Sequence, residues 1–258
     1  MATTALTKPA AIEIFHLALL QVLPQHLPPT NYAVKGGANL RLFLDSPRRS
    51  EDIDLNFVGR VSWSLQPRMD AVLRSPALAA LLATHRLRIV AVNPSKTTTT
   101  TGRWKFGMEA PGVVFNSKVE FSMRREDRPL YEFSSVSPRI AAASRMRPAS
   151  ANHYVARGAI EQKIAALGLR SETQVRDVFD LDYLFTRFPE AGDAADPPAY
   201  ELDLARGRVC ESTYADYREL VITYLDPAFV AMYDSRAEWD RIQLHVAERL
   251  DTIRKRIK

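Results

Sequence analysis

Between Tyr32 and Phe57 the chain reads YAVKGGANLRLFLDSPRRSEDIDLNF, and this stretch leaves the fold few choices. Tyr32 to Lys35 is a short, half-apolar run of strand type. Gly36 and Gly37 follow as a turn without side chains. Ala38 to Leu44 carries Leu40, Phe43 and Leu44 at helical spacing. Asp45-Ser46-Pro47 ends that helix, since proline lacks the N–H and disfavours helix in the residue before it. SEDIDLNF then alternates: Ser50, Asp52, Asp54 and Asn56 fall on one face of a strand, and Ile53, Leu55 and Phe57 on the other.

That geometry carries chemistry. Carboxylates at i and i+2 of a strand are roughly 6–7 Å apart at the backbone and point the same way. Their oxygens can converge on hard cations. Two such ions about 3.5–4 Å apart can clamp the attacking and leaving oxygens of a phosphoryl transfer. Gly36 and Gly37 let backbone N–H groups approach a phosphate at the start of a helix. Taken singly, Asp-Ile-Asp is usually the wet face of a strand, and Gly-Gly is usually a plain turn. The glycine pair, short helix and Ser-x-Asp-x-Asp strand together are far more specific.

This order resembles the first motif of the nucleotidyltransferase superfamily, the DNA polymerase β-like fold. Its form here, KGGANLRLFLDSPRRSEDIDL, resembles the AbiEii/AbiGii (MenT-like) toxins of bacterial toxin–antitoxin and phage-defence systems.

The remaining sequence sets bounds. At 258 residues the chain has room for one large or two small domains. Its apolar content of 46% is ordinary for a globular protein. The net charge of +5 suits a polyanionic partner. Cys210 is the single cysteine, which excludes an internal disulfide and a cysteine-based zinc cluster and fits a reducing cytoplasm. The N-terminal run superficially suggests a signal peptide, but Glu13 and His16 interrupt it, so a helix is expected. No run approaches the roughly 20 apolar residues of a membrane span.

In chain order, a first helix is expected over residues 9–23, with Ile12, Phe15, Leu19, Leu20 and Leu23 as its stripe. Residues 59–64 read as a turn, 67–86 as one or two helices divided near Pro76, and 87–92 as a strand. After the threonines 97–101, Arg103 and Lys105 alternate with Trp104 and Phe106. On a strand this places cations on one face and aromatics on the other: either an ordinary wet face or a basic strand lining a phosphate or RNA groove. In SKVEFSM, Lys118, Glu120 and Ser122 share a face, and Glu120 is the candidate third carboxylate beside Asp52 and Asp54. A strand over 130–136 completes the expected sheet. Residues 138–150 read as the boundary between domains, with Arg139, Arg145 and Arg147 either contacting a polyanion or belonging to a solvated linker.

Helical pattern follows. A helix over 156–167 buries Ile160, Ile164 and Leu167. Ser171 to Gln174 fits a capping box opening a helix through Phe188. Residues 191–199 read as a polar loop, and 201–208, 213–225 and 235–254 as helices. Lys163, Arg170, Arg176, Asp177, Asp180 and Asp182 would ordinarily be solvated helix charges, with pairs such as Arg176–Asp180. However, AIEQKIAAL, then Arg170, then RDVFDL resembles the C-terminal motif of the AbiEii-like toxins. The resemblance implies that Lys163 binds the nucleoside triphosphate, that Asp180 belongs to the catalytic centre, and that Asp177 orients Arg170 or Arg176. Ser50, on the face of the aspartates, is expected to bond a nucleotide phosphate, and the resemblance implies that it is open to inactivating phosphorylation. The two matched blocks are Tyr32–Phe57 and Glu161–Leu184, with weaker support around Glu120.

The expectation is therefore an α+β chain: a nucleotidyltransferase domain over 1–140, with a mixed sheet and helices, then an α-helical domain over 141–258. The resemblance implies transfer of a nucleoside monophosphate from an NTP to an acceptor hydroxyl, with Mg²⁺ or Mn²⁺. The tRNA 3′ end is the expected acceptor and blocked translation the result. Asp52, Asp54, Lys163 and Asp180 are the expected catalytic residues. Gly36, Gly37, Ser50, Lys163, Arg170 and Arg176 are expected to bind nucleotide, and Asp52, Asp54 and Glu120 metal. A cognate antitoxin is the expected protein partner, and the cytoplasm the expected location. The alternatives are a small-molecule or protein acceptor, and a non-enzymatic nucleotide- or RNA-binding protein.

Overall fold

A computed structural model describes residues 6–58, 65–93, 96–123 and 130–257. The turn expected over 59–64 lies outside the described residues. The chain divides into two compact units: Met1–Asp45 with Arg49–His153, and Ser46–Arg48 with Tyr154–Lys258.

The first unit is built on a mixed sheet. Its strands are β1 (Tyr32–Lys35), β2 (Ile53–Phe57), β3 (Arg88–Val92), β4 (Lys96–Thr97), β5 (Thr101–Ala110), β6 (Val113–Ser122), β7 (Tyr131–Ser135) and β8 (Ser150–Tyr154). They lie in the order β3-β5-β6-β2-β1-β8-β7, with β4 pairing β5. β2 runs antiparallel to β1 and parallel to β6. Residues 138–150, read from the sequence as the boundary between domains, hold the helix α5 (Pro138–Ala143) and lead into β8, which pairs in parallel with β1 through Asn152 and His153. The changeover between the compact units comes after His153.

Helix α1 (Lys8–Val22) is buried almost all round from Ala11 to Leu20, not along one stripe. A helix enclosed on every side has no wet face, so its polar residues need special terms. Glu13 is 4% exposed and pairs with Arg41 and Arg49. Burial lowers the His16 pKa to about 3, keeping the ring neutral. Helix α2 (Gly36–Leu42) links β1 towards β2. Helices α3 (Leu65–Leu73) and α4 (Pro76–Ala83) divide at Pro76, as expected from its place at a first helical turn.

The second unit is helical: α6 (Ala156–Leu169), α7 (Val175–Arg187), α8 (Pro189–Ala194), α9 (Ala199–Arg208), α10 (Tyr214–Leu220), α11 (Pro227–Tyr233) and α12 (Arg236–Arg256). Its core contains Ile160, Ile164, Phe179, Leu181, Leu184 and Ile242, all fully buried. Tyr217 stacks on Trp239 with centroids 4.5 Å apart. Helix α8 occupies part of the expected 191–199 loop because Pro189 starts a helical turn there. The capping box expected at Ser171 does not form; α7 starts behind Gln174 with no side-chain cap. The reciprocal box is made instead by Thr213 and Asp216 at α10. No helix among the described residues is long and apolar enough to cross a membrane.

Candidate functional site

Helix α2 begins at Gly36, directly after Lys35, so the glycines form its first residues rather than a turn ahead of it. Gly36 has φ +65°, and a Cβ there would stand 2.9 Å from Asp54 Oδ2. Both facts require glycine: the backbone lies in the left-handed region, and the Asp54 carboxylate occupies the space a side chain needs. β2 starts only at Ile53, so Ser50 and Asp52 sit on the approach to the strand rather than within it. That approach is pinned on both sides. Ser50 Oγ donates to the Asp52 carbonyl at 2.8 Å. Ser117 Oγ of β6 donates to the Glu51 carbonyl at 2.8 Å. In β2, Ile53 and Leu55 are fully buried and Asp54 is part-exposed, but the expected alternation stops there, because Asn56 is buried like Phe57.

Parallel pairing of β2 with β6 sets Asp54 beside Glu120. Antiparallel pairing of β5 with β6 sets Arg103 beside Glu120 in turn. Arg103 Nε lies 2.7 Å from Glu120 Oε2. Lys118 Nζ lies 3.3 Å from Asp52 Oδ2 and 4.0 Å from Glu120 Oε2. Asp52 has a raised pKa because burial penalises its charge, and Asp54 and Glu51 add negative potential; Lys118 opposes this. Among the described residues no group of three or more His, Cys, Asp or Glu side chains comes together as a metal site. Glu120 thus stands beside Asp54 in register, held by a cation, without completing a three-ligand cluster. Sequence reasoning singled out Lys118 and Arg103 but not their ion pairs with Asp52 and Glu120. Alternation placed Lys118 and Glu120 on one face, but not that face next to Asp52.

In the helical unit Asp180 is fully buried and accepts two hydrogen bonds from Arg48, Nε at 2.9 Å and Nη2 at 2.7 Å. Lys163 Nζ lies 2.6 Å from Asp180 Oδ2 and 2.7 Å from Asp177 Oδ1. Arg170 pairs with the other oxygen of Asp177. Burial alone would raise the Asp180 pKa, but Arg48 and Lys163 outweigh it and hold the value at about 2. Lys163 and Asp180 are therefore not the exposed helix charges of the plain sequence reading, and Asp180 is engaged by Arg48 and Lys163. Arg176 is part-exposed on α7. Asp182 bonds Arg241 and His245 of α12. Sequence reasoning missed Arg48; its only signal was the double arginine after Pro47.

A family model described as "Nucleotidyl transferase AbiEii toxin, Type IV TA system" matches residues 18–255. The chain belongs to this AbiEii family. The match spans both blocks that the sequence singled out. Among solved structures, the chain is similar to JHP933 from Helicobacter pylori: 18% identity, TM-score 0.58, covering 95% of this chain and 93% of that one. It is equally similar to an H. pylori protein described as a "putative nucleotidyltransferase", with 18% identity, TM-score 0.57 and 94% of each chain covered. No curated protein matches the sequence. Membership of AbiEii makes the chain a nucleotidyltransferase toxin of a type IV toxin–antitoxin system, with an NTP substrate and an antitoxin partner. It sets aside the non-enzymatic alternative.

Proposed function

We propose that this AbiEii protein transfers a nucleoside monophosphate from an NTP to the 3′-terminal hydroxyl of tRNA, in the cytoplasm, and so blocks translation. The observation that carries the reading is Gly36 pressed against Asp54, with Asp52 one residue beyond the buried Ile53. Gly36 and Gly37 add no side chains of their own at the start of α2, so backbone N–H groups there can approach a phosphate beside the carboxylates. Asp52 and Asp54 suit a divalent metal, Mg²⁺ or Mn²⁺. They are hard oxygen donors, and the Asp52 carboxyl is raised chiefly by burial, with the Asp54 charge adding to it. When bound, the metal supplies positive charge to the reacting phosphate oxygens. Ser50 fixes the Asp52 backbone.

The nucleotide roles that the resemblance implies for Lys163, Arg170 and Arg176 remain part of this proposal. Asp180 fits orientation of charge better than proton abstraction, because a carboxylate with pKa near 2 is a weak base at neutral pH. The net charge of +5 favours RNA over a small neutral acceptor. The test is incubation with total tRNA, Mg²⁺ and each α-labelled NTP in turn. Label on tRNA supports the reading; label on no RNA with any of the four overturns it.

A further inference from the structure

The open face of β4–β5–β6 carries cations in register. Lys96 of β4 pairs across to Arg103, and Arg103 across to Glu120. One step along, Lys105 stands opposite Lys118. Asp54 follows Glu120 in the first row, and Lys118 reaches Asp52 at 3.3 Å in the second. Both rows thus run from lysine and arginine on the outer strands to the carboxylates on the inner ones. The face is rigidly backed. Trp104 and Phe106, which alternate with Arg103 and Lys105, are 0% and 1% exposed, and Trp104 Nε1 donates to Asp70 at 2.8 Å.

Two pairs work against folding. Like charges directly opposite on neighbouring antiparallel strands destabilise a sheet, and Lys96 faces Arg103 while Lys105 faces Lys118. Lys118 finds Asp52, but no carboxylate among the described residues pairs with Lys105 or with Lys96. Both are exposed. The free side chains offer no gain to the fold and stand ready for an outside anion. From Lys96 to β6 the row crosses two strand spacings, roughly 9–10 Å, before the carboxylates begin. That reach exceeds what one triphosphate held at Asp52 and Asp54 would need.

We propose that Lys96 and Lys105, with Arg103 and Lys118 behind them, form a phosphate ladder that holds the backbone of the acceptor RNA and leads its 3′ end to Asp52 and Asp54. The inference rests on the tRNA reading above and adds the surface that binds it. The ladder reads phosphate rather than bases, so it confers affinity and not sequence preference.

The test uses the full chain with Lys96→Gln, Lys105→Gln and the double variant. tRNA binding is followed by anisotropy across a salt series, tRNA KM by labelled transfer, NTP affinity by calorimetry, and stability by thermal melting. The double variant should raise the tRNA KM roughly three- to tenfold at moderate salt. Each lysine lost should make the log–log salt slope shallower by about 1. NTP affinity should stay at the parent value, and Lys105→Gln should melt at or above the parent because the like-charge pair is relieved. An unchanged salt slope overturns the ladder. So does an NTP affinity that falls by the same factor as the tRNA affinity, which would assign the cations to the triphosphate. A parent that binds tRNA but transfers nothing to it would overturn the function and leave the ladder to stand on its salt slope. A parent with no salt-dependent tRNA binding would overturn both.

Discussion

Gly36 and Asp54 meet so closely that a single added carbon on the glycine would lie 2.9 Å from the Asp54 Oδ2 atom. The contact joins the first residue of α2 to the second residue of β2. Gly36→Ala meets two obstacles, the positive φ of +65° and the carboxylate itself. The backbone term costs about 1–3 kcal/mol. Asp54 must also turn aside, and misplacing a catalytic group by an ångström lowers rates on the order of 100-fold. Gly36→Ala should therefore fold with a lowered melting temperature and lose transfer far beyond the stability loss. Activity near the parent's would contradict Asp54 as a reacting-site residue.

Asp52 is held above its ordinary pKa of 3.8 chiefly by burial. The sign follows for an acid with a raised folded pKa: folding favours its protonated form. Ionised Asp52 thus costs stability above its folded pKa, and the cost fades as pH falls through that value. Asp52→Asn should melt at or above the parent at neutral pH while transfer is lost, and the two melting temperatures should converge in acid. A neutral-pH melting temperature well below the parent's would mean that Asp52 is a structural ion pair with Lys118.

The opposite sign applies to Asp180. Its pKa is lowered from 3.8 to about 2 by Arg48 and Lys163, against the effect of burial. Its contribution to stability is present above about 3.8 and is lost as pH falls towards 2. Truncating one member of a buried ion pair leaves uncompensated charge, which costs about 3–5 kcal/mol. Asp180→Ala should fall in that range by urea denaturation. Its deficit should shrink between pH 5 and the acid end of the profile. A deficit constant across that window would remove charge from the explanation.

Ser50 Oγ donates to the Asp52 carbonyl at 2.8 Å. Ser50→Ala should lose that tether and reduce kcat with a small change in melting, since one hydrogen bond contributes about 1 kcal/mol. Ser50→Glu places a further negative charge beside Asp52 and Asp54 and should weaken nucleotide binding, read by calorimetry. Equal NTP affinity in parent and Ser50→Glu would rule out Ser50 as a point of charge control.

Local pattern carried much of the first unit. Tyr32 to Lys35 and Ile53 to Phe57 are legible as strands from their apolar spacing, although Tyr32, Ala33 and Val34 are buried in succession, as are Leu55, Asn56 and Phe57. Alternation revealed that Trp104 and Phe106 face inward. Pairing across the chain was not legible. SANHY at Ser150–Tyr154 has no strand alternation, and its place beside β1 is set by partners more than a hundred residues away. The burial of Asp180 was hidden for the same reason, as Arg48 is separated from it by 132 residues. A sequence reader sees two charges on a helix and assigns them to solvent. The short helices opening at Pro189 and Pro227 are also invisible to periodicity, which needs more turns than they contain.

The most direct measurement compares intact tRNA with tRNA whose 3′-terminal diol has been oxidised by periodate. Each is incubated with labelled NTP and Mg²⁺, with parent protein and with the Asp52→Asn, Asp54→Asn double variant. Transfer to the 3′ hydroxyl at these carboxylates predicts label on intact tRNA with the parent alone, together with released pyrophosphate. Label on oxidised tRNA, or undiminished label with the double variant, would contradict it.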